Sequence, residues 1–184
     1  MTETKLLTAD DLLCLHGKGV RGDLIQGVLH ETMPSGIRHS KIGMRLGSAL
    51  LGFVDAAGLG TVVGPDAGVW LERDPDTVRA ADVGYFSAAN MHPDVDVVGY
   101  AEVVPDLVAE VRSPSDSRRE VHDKARMWLR HGVRLAWVVH PDDRTIDVHR
   151  PDHAVTTLSG DAALDGADVL PGFTCSLDDV FGPR

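Results

Sequence analysis

Pro105-Asp106-Leu107-Val108-Ala109-Glu110-Val111-Arg112-Ser113-Pro114-Ser115 is an apolar run that carries one acid and is stopped by a proline. Leu107 to Val111 reads as a buried strand, because Val, Leu and Ala fill it and Pro114 cannot continue a central ladder. Glu110 therefore projects from the end of a buried strand. A carboxylate costs several kcal/mol to hold there unless it is paired or bound to a cation. Asp106 lies four residues earlier on the same face, roughly 13 Å away along a strand. That is too far to share an ion with Glu110, so Asp106 reads as a strand-entry residue.

Outward from this strand, Ser117 to His131 shows helical periodicity, with Val121, Ala125, Trp128 and Leu129 as its apolar stripe and Gly132 just past its end. Lys124 sits at the edge of that stripe. A lysine there either snorkels over apolar surface or aims its ammonium at the sheet end. Leu135–Val139 and Thr145–His149 follow as strands about a Pro-Asp-Asp turn. On the other side, Val78 to Phe86 reads as one strand with Asp82 inside it. Neighbouring strands lie about 4.8 Å apart, so Asp82 and Glu110 on one face can share an ion with oxygen ligands at about 2.0–2.1 Å, as Mg²⁺ requires. The backbone carbonyl of Val111 is a further candidate ligand.

Earlier elements are a capped short helix after Thr8, a hairpin over Asp23–Glu31 breaking at Gly27, and a helix from His39 stopped by Gly58 and Gly60. Strands at 61–64 and Gly68–Glu72 come next, then a loop over 90–99. A possible strand in the loop over 161–172 and a terminal helical turn at Leu177–Phe181 complete the pattern. The order predicts an α/β (α+β) domain with a central mixed sheet flanked by helices. The 184 residues are expected to form a single domain, with residues 1–20 as an N-terminal arm.

Hydrophobic residues make up 43% of the chain, and no apolar run reaches membrane-spanning length. Met1–Lys5 lacks the order of a secretory leader, and two cysteines rule out a zinc finger. A cytoplasmic protein is the expectation. The net charge of −10 argues against a surface that grips nucleic acid throughout. Charge is local, however: seven basic residues stand against three acidic ones between Val111 and Arg134. This patch is either a solvated helix face or a phosphate-facing surface beside Glu110. Nine histidines occur without a His-x-His or His-Glu-x-x-His pair. His39 either faces the site or caps a helix. His122 and His131 are expected on the exposed side or end of their helix, and His140 and His149 at strand ends near turns.

Taken in order, Asp23-Leu-Ile-Gln-Gly27, His39-Ser40, Arg79-Ala-Ala-Asp82, Glu110-Val-Arg112-Ser113-Pro-Ser115, Lys124, Trp137-Val-Val-His-Pro141 and Leu170-Pro-Gly-Phe173 form a set. That set resembles the Uma2 family, also called DUF820, of proposed bacterial endonucleases with a PD-(D/E)xK nuclease-like fold. The resemblance spans about Asp23 to Phe181. It implies a Mg²⁺-dependent endonuclease acting on DNA, with Mn²⁺ as a substitute ion and a homodimer as the assembly. It implies Asp82 and Glu110 as metal ligands and Lys124 as the catalytic lysine, moved from strand to helix. Asp23 stands where the family usually has glutamate, and His39 matches a histidine of the first helix. Arg112 occupies the usual lysine position; it can bind phosphate but cannot readily act as a base. Ala81 replaces the expected proline, and His140 replaces an aspartate. Arg118 and Arg119 are candidate phosphate contacts. The residues alone also accommodate a nuclease-fold binding or assembly module without activity, or a metal-dependent hydrolase of a small phosphoester.

Overall fold

The computed structural model describes residues 6–183. Met1–Lys5, the stretch read against a secretory leader, lies outside the described residues. Four helices and twelve strands follow in chain order among them. They are α1 (Ala9–His16), β1 (Gly22–Ile25), β2 (Val28–Glu31), α2 (Ile37–Ala57), β3 (Gly60–Val63), β4 (Gly68–Glu72), β5 (Thr77–Ala80) and β6 (Val83–Ser87). Then come β7 (Leu107–Val111), α3 (Arg118–Arg130), β8 (Leu135–His140), β9 (Thr145–His149), β10 (Thr156–Leu158), β11 (Ala163–Asp165), β12 (Thr174–Ser176) and α4 (Leu177–Phe181).

The main sheet has six strands in the order β10-β9-β8-β7-β6-β3. It is mixed: β7 and β8 run parallel, in register Glu110↔Val138, while the remaining pairs are antiparallel. The parallel pair requires a crossover, and α3 supplies it. Strand alternation assigns the faces. Val108, Ala136 and Val138 pack against Val121, Ala125 and Trp128 of α3. Leu107, Ala109, Val111, Trp137 and Val139 face the other way, against Ile42, Leu46, Leu50 and Val54 of α2 and the C-terminal elements. Burying an aliphatic side chain of this kind stabilises by about 1.5–3 kcal/mol. The sandwiched β7 and β8 therefore hold their positions firmly.

The expected strand over Val78 to Phe86 is two strands. The chain bends at Ala81-Asp82, sending β5 into a four-stranded antiparallel sheet, β2-β1-β5-β4, and β6 into the main sheet. A continuous apolar run does not distinguish one strand from two that change partners, because both halves are buried. Asp82 thus sits at the junction between two sheets rather than inside a strand. The β1–β2 hairpin turns through Gln26 and Gly27, both at positive φ (48° and 75°), the pattern of a tight two-residue turn. α1 packs Ala9 and Leu12 onto Leu24 and Val78 of this second sheet. Strands β10 and β12 have no counterpart in the sequence reading; each is three residues long. Asp106 accepts from the backbone N–H of Ser87 at 2.8 Å and from Asn90 Nδ2 at 3.2 Å, which fits a strand-entry residue. Cys14 and Cys175 are both free. Among the described residues no helix is long and apolar enough to cross a membrane.

Candidate active site

Glu110 occupies the fourth position of β7 and shares a face with Val108, so its side chain points to α3. The backbone N–H of Arg112 donates to Val139 O at 2.9 Å before Pro114 ends the pairing. Ser113 N–H then donates to the Asp116 carboxylate at 3.1 Å, forming a turn. Ser117 caps α3, with Glu120 reaching back to the Ser117 N–H at 2.7 Å to complete a capping box. The Ser-Pro-Ser-Asp-Ser segment therefore starts α3 directly beside the end of β7. Lys124, two turns in, returns to the strand: its Nζ lies 3.2 Å from Glu110 Oε2. Trp128, one turn further, donates its indole N–H to Glu110 Oε1 at 2.7 Å.

Both oxygens of the buried Glu110 are thus engaged, and the partner its burial demands is already part of the protein. Burial raises its carboxyl above the ordinary value, against the pull of the Lys124 cation; nearby Asp82 adds to the rise, and the Trp128 N–H opposes it. The charge of Glu110 in turn raises Lys124, against its own burial.

Asp82 reaches the same place from the sheet junction. Its Oδ2 accepts the backbone N–H of Val111 at 2.7 Å, which fixes it to the end of β7. His39, in the first turn of α2, places Nε2 3.2 Å from the same oxygen. The hydrogen bond to Asp82 raises the His39 imidazole, against its burial. The first turn of α2 contains no acid, and its Gly36 cap offers no side chain. Asp23, on β1, pairs with Arg79 of β5 at 2.9 Å and accepts from the Ala80 N–H at 3.4 Å.

These side chains meet in an open cleft of about 840 Å³, lined among others by Asp23, His39, Asp82, Glu110, Ser113 and Lys124. The donor set fits a hard divalent cation. It offers carboxylate oxygens, each with a lone pair beyond its existing hydrogen bond, and the charge of Asp82 already raises the proton affinity of Glu110.

The arginines are arranged differently. Arg112, Arg118 and Arg119 do not line the cleft. Arg112 pairs with Asp142 at 2.5 Å, Arg118 pairs with Asp143, and the exposed Arg119 lies 3.6 Å from Asp123. Much of the local positive excess is therefore matched across the β8–β9 turn. Two contributors escaped the sequence reading. Trp128 counted only as core, although it lies four residues after Lys124 on one helical stripe. Arg79, three residues before Asp82, holds Asp23 inside the cleft.

On the other flank, His140 and His149 end β8 and β9 as expected, whereas His122 is not on an exposed helix face. His140 and His149 are buried and His122 half-buried, because β8, β9 and α3 enclose them. Ligand atoms of His122, His140 and Asp147 lie within 4.8 Å of one another.

The sequence matches the Uma2 family, described as "Putative restriction endonuclease", over residues 9–178. No curated protein matches it. Among solved structures, the fold is similar to that of a "putative nuclease belonging to DUF820" from Anabaena variabilis ATCC 29413, with a TM-score of 0.80 and 22% identity over 95% of this chain and 97% of that one. That likeness establishes the nuclease-like α+β fold, and the family match spans most of the cleft-forming elements. The chain belongs to the Uma2 family.

Proposed function

We propose that this protein is a Mg²⁺-dependent endonuclease that hydrolyses DNA phosphodiester bonds, with Mn²⁺ able to replace Mg²⁺. The observation that carries the reading is the meeting of Asp82, Glu110 and Lys124 in one cleft. Asp82 and Glu110 would hold the ion. When bound, such an ion lowers the pKa of water and polarises a phosphate oxygen. The protein's own part is orientation. Val111 N–H and His39 fix Asp82; Trp128 and Lys124 fix Glu110. Both carboxylates are set before a substrate arrives, so little reorganisation remains at the reacting centre. The Lys124 ammonium is partly open to the cleft and matches the negative charge that grows on the phosphoryl oxygens as water adds to phosphorus and the ester oxygen leaves with a proton.

Arg112, Arg118 and Arg119 would bind flanking phosphates by exchanging Asp142, Asp143 and Asp123 for the nucleic-acid backbone. A homodimer would supply two sites for the two strands of a duplex, in one domain per chain. Purified protein incubated with supercoiled plasmid and Mg²⁺ is expected to produce nicked and linear DNA. Equal nicking by the wild type and Glu110→Ala would refute the assignment.

A second reading, hydrolysis of a small phosphoester, draws on the matched arginines and the net charge of −10. DNA binding that weakens steeply with salt favours the endonuclease; salt-insensitive turnover of a nucleotide ester favours the alternative.

A further inference from the structure

The cleft uses one flank of α3. At 100° per residue, Lys124 and His122 lie on opposite sides of the stripe formed by Val121, Ala125 and Trp128. Lys124 leans to β7. His122 leans to β8 and β9, where strand register puts His140, Asp147 and His149 on the face that α3 covers.

The geometry points to a second metal site, separate from the cleft, in which His122, His140 and Asp147 bind a Zn²⁺-class divalent ion. Asp147 Oδ2 lies 2.8 Å from His140 Nε2 and 3.3 Å from His122 Nε2. Ligands held at about 2.0–2.1 Å in a tetrahedron stand roughly 3.3 Å from each other, so His122 and Asp147 already have that spacing and the His140–Asp147 pair need only open by about 0.5 Å to admit an ion. Two imidazoles and one carboxylate are borderline-soft donors, suited to Zn²⁺ and Co²⁺ and distinct from the all-oxygen set around Asp82.

The supporting groups are those a metal site needs. His122 Nδ1 stands 2.9 Å from His149 Nε2, which as an acceptor would hold the His122 tautomer whose Nε2 lone pair is free to ligate. The second oxygen of Asp147 accepts from the Thr157 hydroxyl at 2.5 Å. His140 is fully buried, so the Nε2 that faces Asp147 is shielded from water. The site joins α3, β8 and β9, and β10 through Thr157, so its ion would tie the helix that carries Lys124 to the centre of the sheet.

The test is titration of the tag-free full chain with Co²⁺ and Zn²⁺, in the wild type and in Asp82→Asn, whose cleft is impaired for ions. One Co²⁺ per chain with visible bands of a tetrahedral nitrogen-and-oxygen site, and a rise in Tm with Zn²⁺, are expected in both proteins. His122→Ala, at a half-buried helix position, should keep the circular dichroism spectrum and lose the bands and the Tm rise. His149→Leu should weaken affinity by about 10–100-fold. Absence of the bands in the wild type, their persistence in His122→Ala, or their loss in Asp82→Asn would each overturn the proposal, the last by locating the ion in the cleft.

Discussion

Lys124→Met and Glu110→Gln should have very unequal effects on stability, although each breaks the same 3.2 Å pair. At an effective dielectric constant near 20, that separation corresponds to a gross attraction of about 5 kcal/mol. Removing the two charges from water costs several kcal/mol per ion, so the net contribution of the pair lies close to zero. Glu110→Gln deletes the buried charge and keeps an oxygen for the Trp128 N–H; Lys124, with its side chain 37% exposed, regains water. The expected change in unfolding free energy is within about 1 kcal/mol of zero, with hydrolysis abolished. Lys124→Met strands a carboxylate that is only 5% exposed. The cost is about 2–4 kcal/mol, below the range for wholly buried pairs because water reaches the ammonium end. The pH dependence follows from the raised carboxyl. A group with a folded pKa above its unfolded value binds more protons when native, so stability declines as pH rises from the ordinary glutamate range through the folded pKa. The deficit of Lys124→Met should therefore shrink as pH falls. The double variant should recover most of the loss. Urea denaturation followed by circular dichroism at several pH values measures all four proteins. Equal losses in both single variants, independent of pH and without recovery in the double variant, would refute the account of Glu110 as a buried charge held by Lys124.

Neutralising the acids that occupy the arginines provides a second test: in Asp142→Asn/Asp143→Asn, the slope of log DNA affinity against log salt should steepen by up to about two contacts' worth, roughly 0.9 each. Glu72 is hydrogen-bonded by His131 and Thr77, which lower its carboxyl. Its small contribution is present above the ordinary glutamate pKa and lost as pH falls through the lower folded value, so the acid limb of a Tm–pH curve should flatten in Glu72→Gln. Gly43 and Gly52 lie inside α2 with open space where a Cβ would go, so Gly43→Ala and Gly52→Ala should each stabilise by about 0.5–1 kcal/mol in urea. Gly60 has φ 144°, and an added Cβ would lie 2.1 Å from Phe86 O; Gly60→Ala should lose at least about 2 kcal/mol.

The β7–turn–α3 unit is legible in sequence because each of its signals is local. A near-continuous apolar run marks the strand, Pro114 its end, Ser117 and Glu120 the helix start, and the stripe through Trp128 the buried face. The same locality makes Lys124 legible as a neighbour of Glu110. What stays hidden depends on distant pairing. The bend at Asp82 exists because Val78 pairs with Leu24, fifty-four residues earlier, while Val83 pairs with Ala109. The matching of Arg112 and Arg118 to Asp142 and Asp143 crosses from one strand end to the next turn, so a count of charges between Val111 and Arg134 overstates the free positive surface. The histidine cluster shares a face only through the β8–β9 register, which no spacing rule contains. Trp128 is hidden for another reason: an indole in an apolar stripe looks like packing until its N–H is seen to have an acceptor.

The bend at Ala81-Asp82 has a mechanical consequence. Asp82 leaves the smaller sheet through its backbone and is tied to the main sheet through the Val111 N–H. Val69 of the smaller sheet packs in one core with Val108 and Trp128, and Glu72 meets His131 at the end of α3. The two sheets are thus braced against each other around Asp82, so a load placed on either would reach the innermost carboxylates.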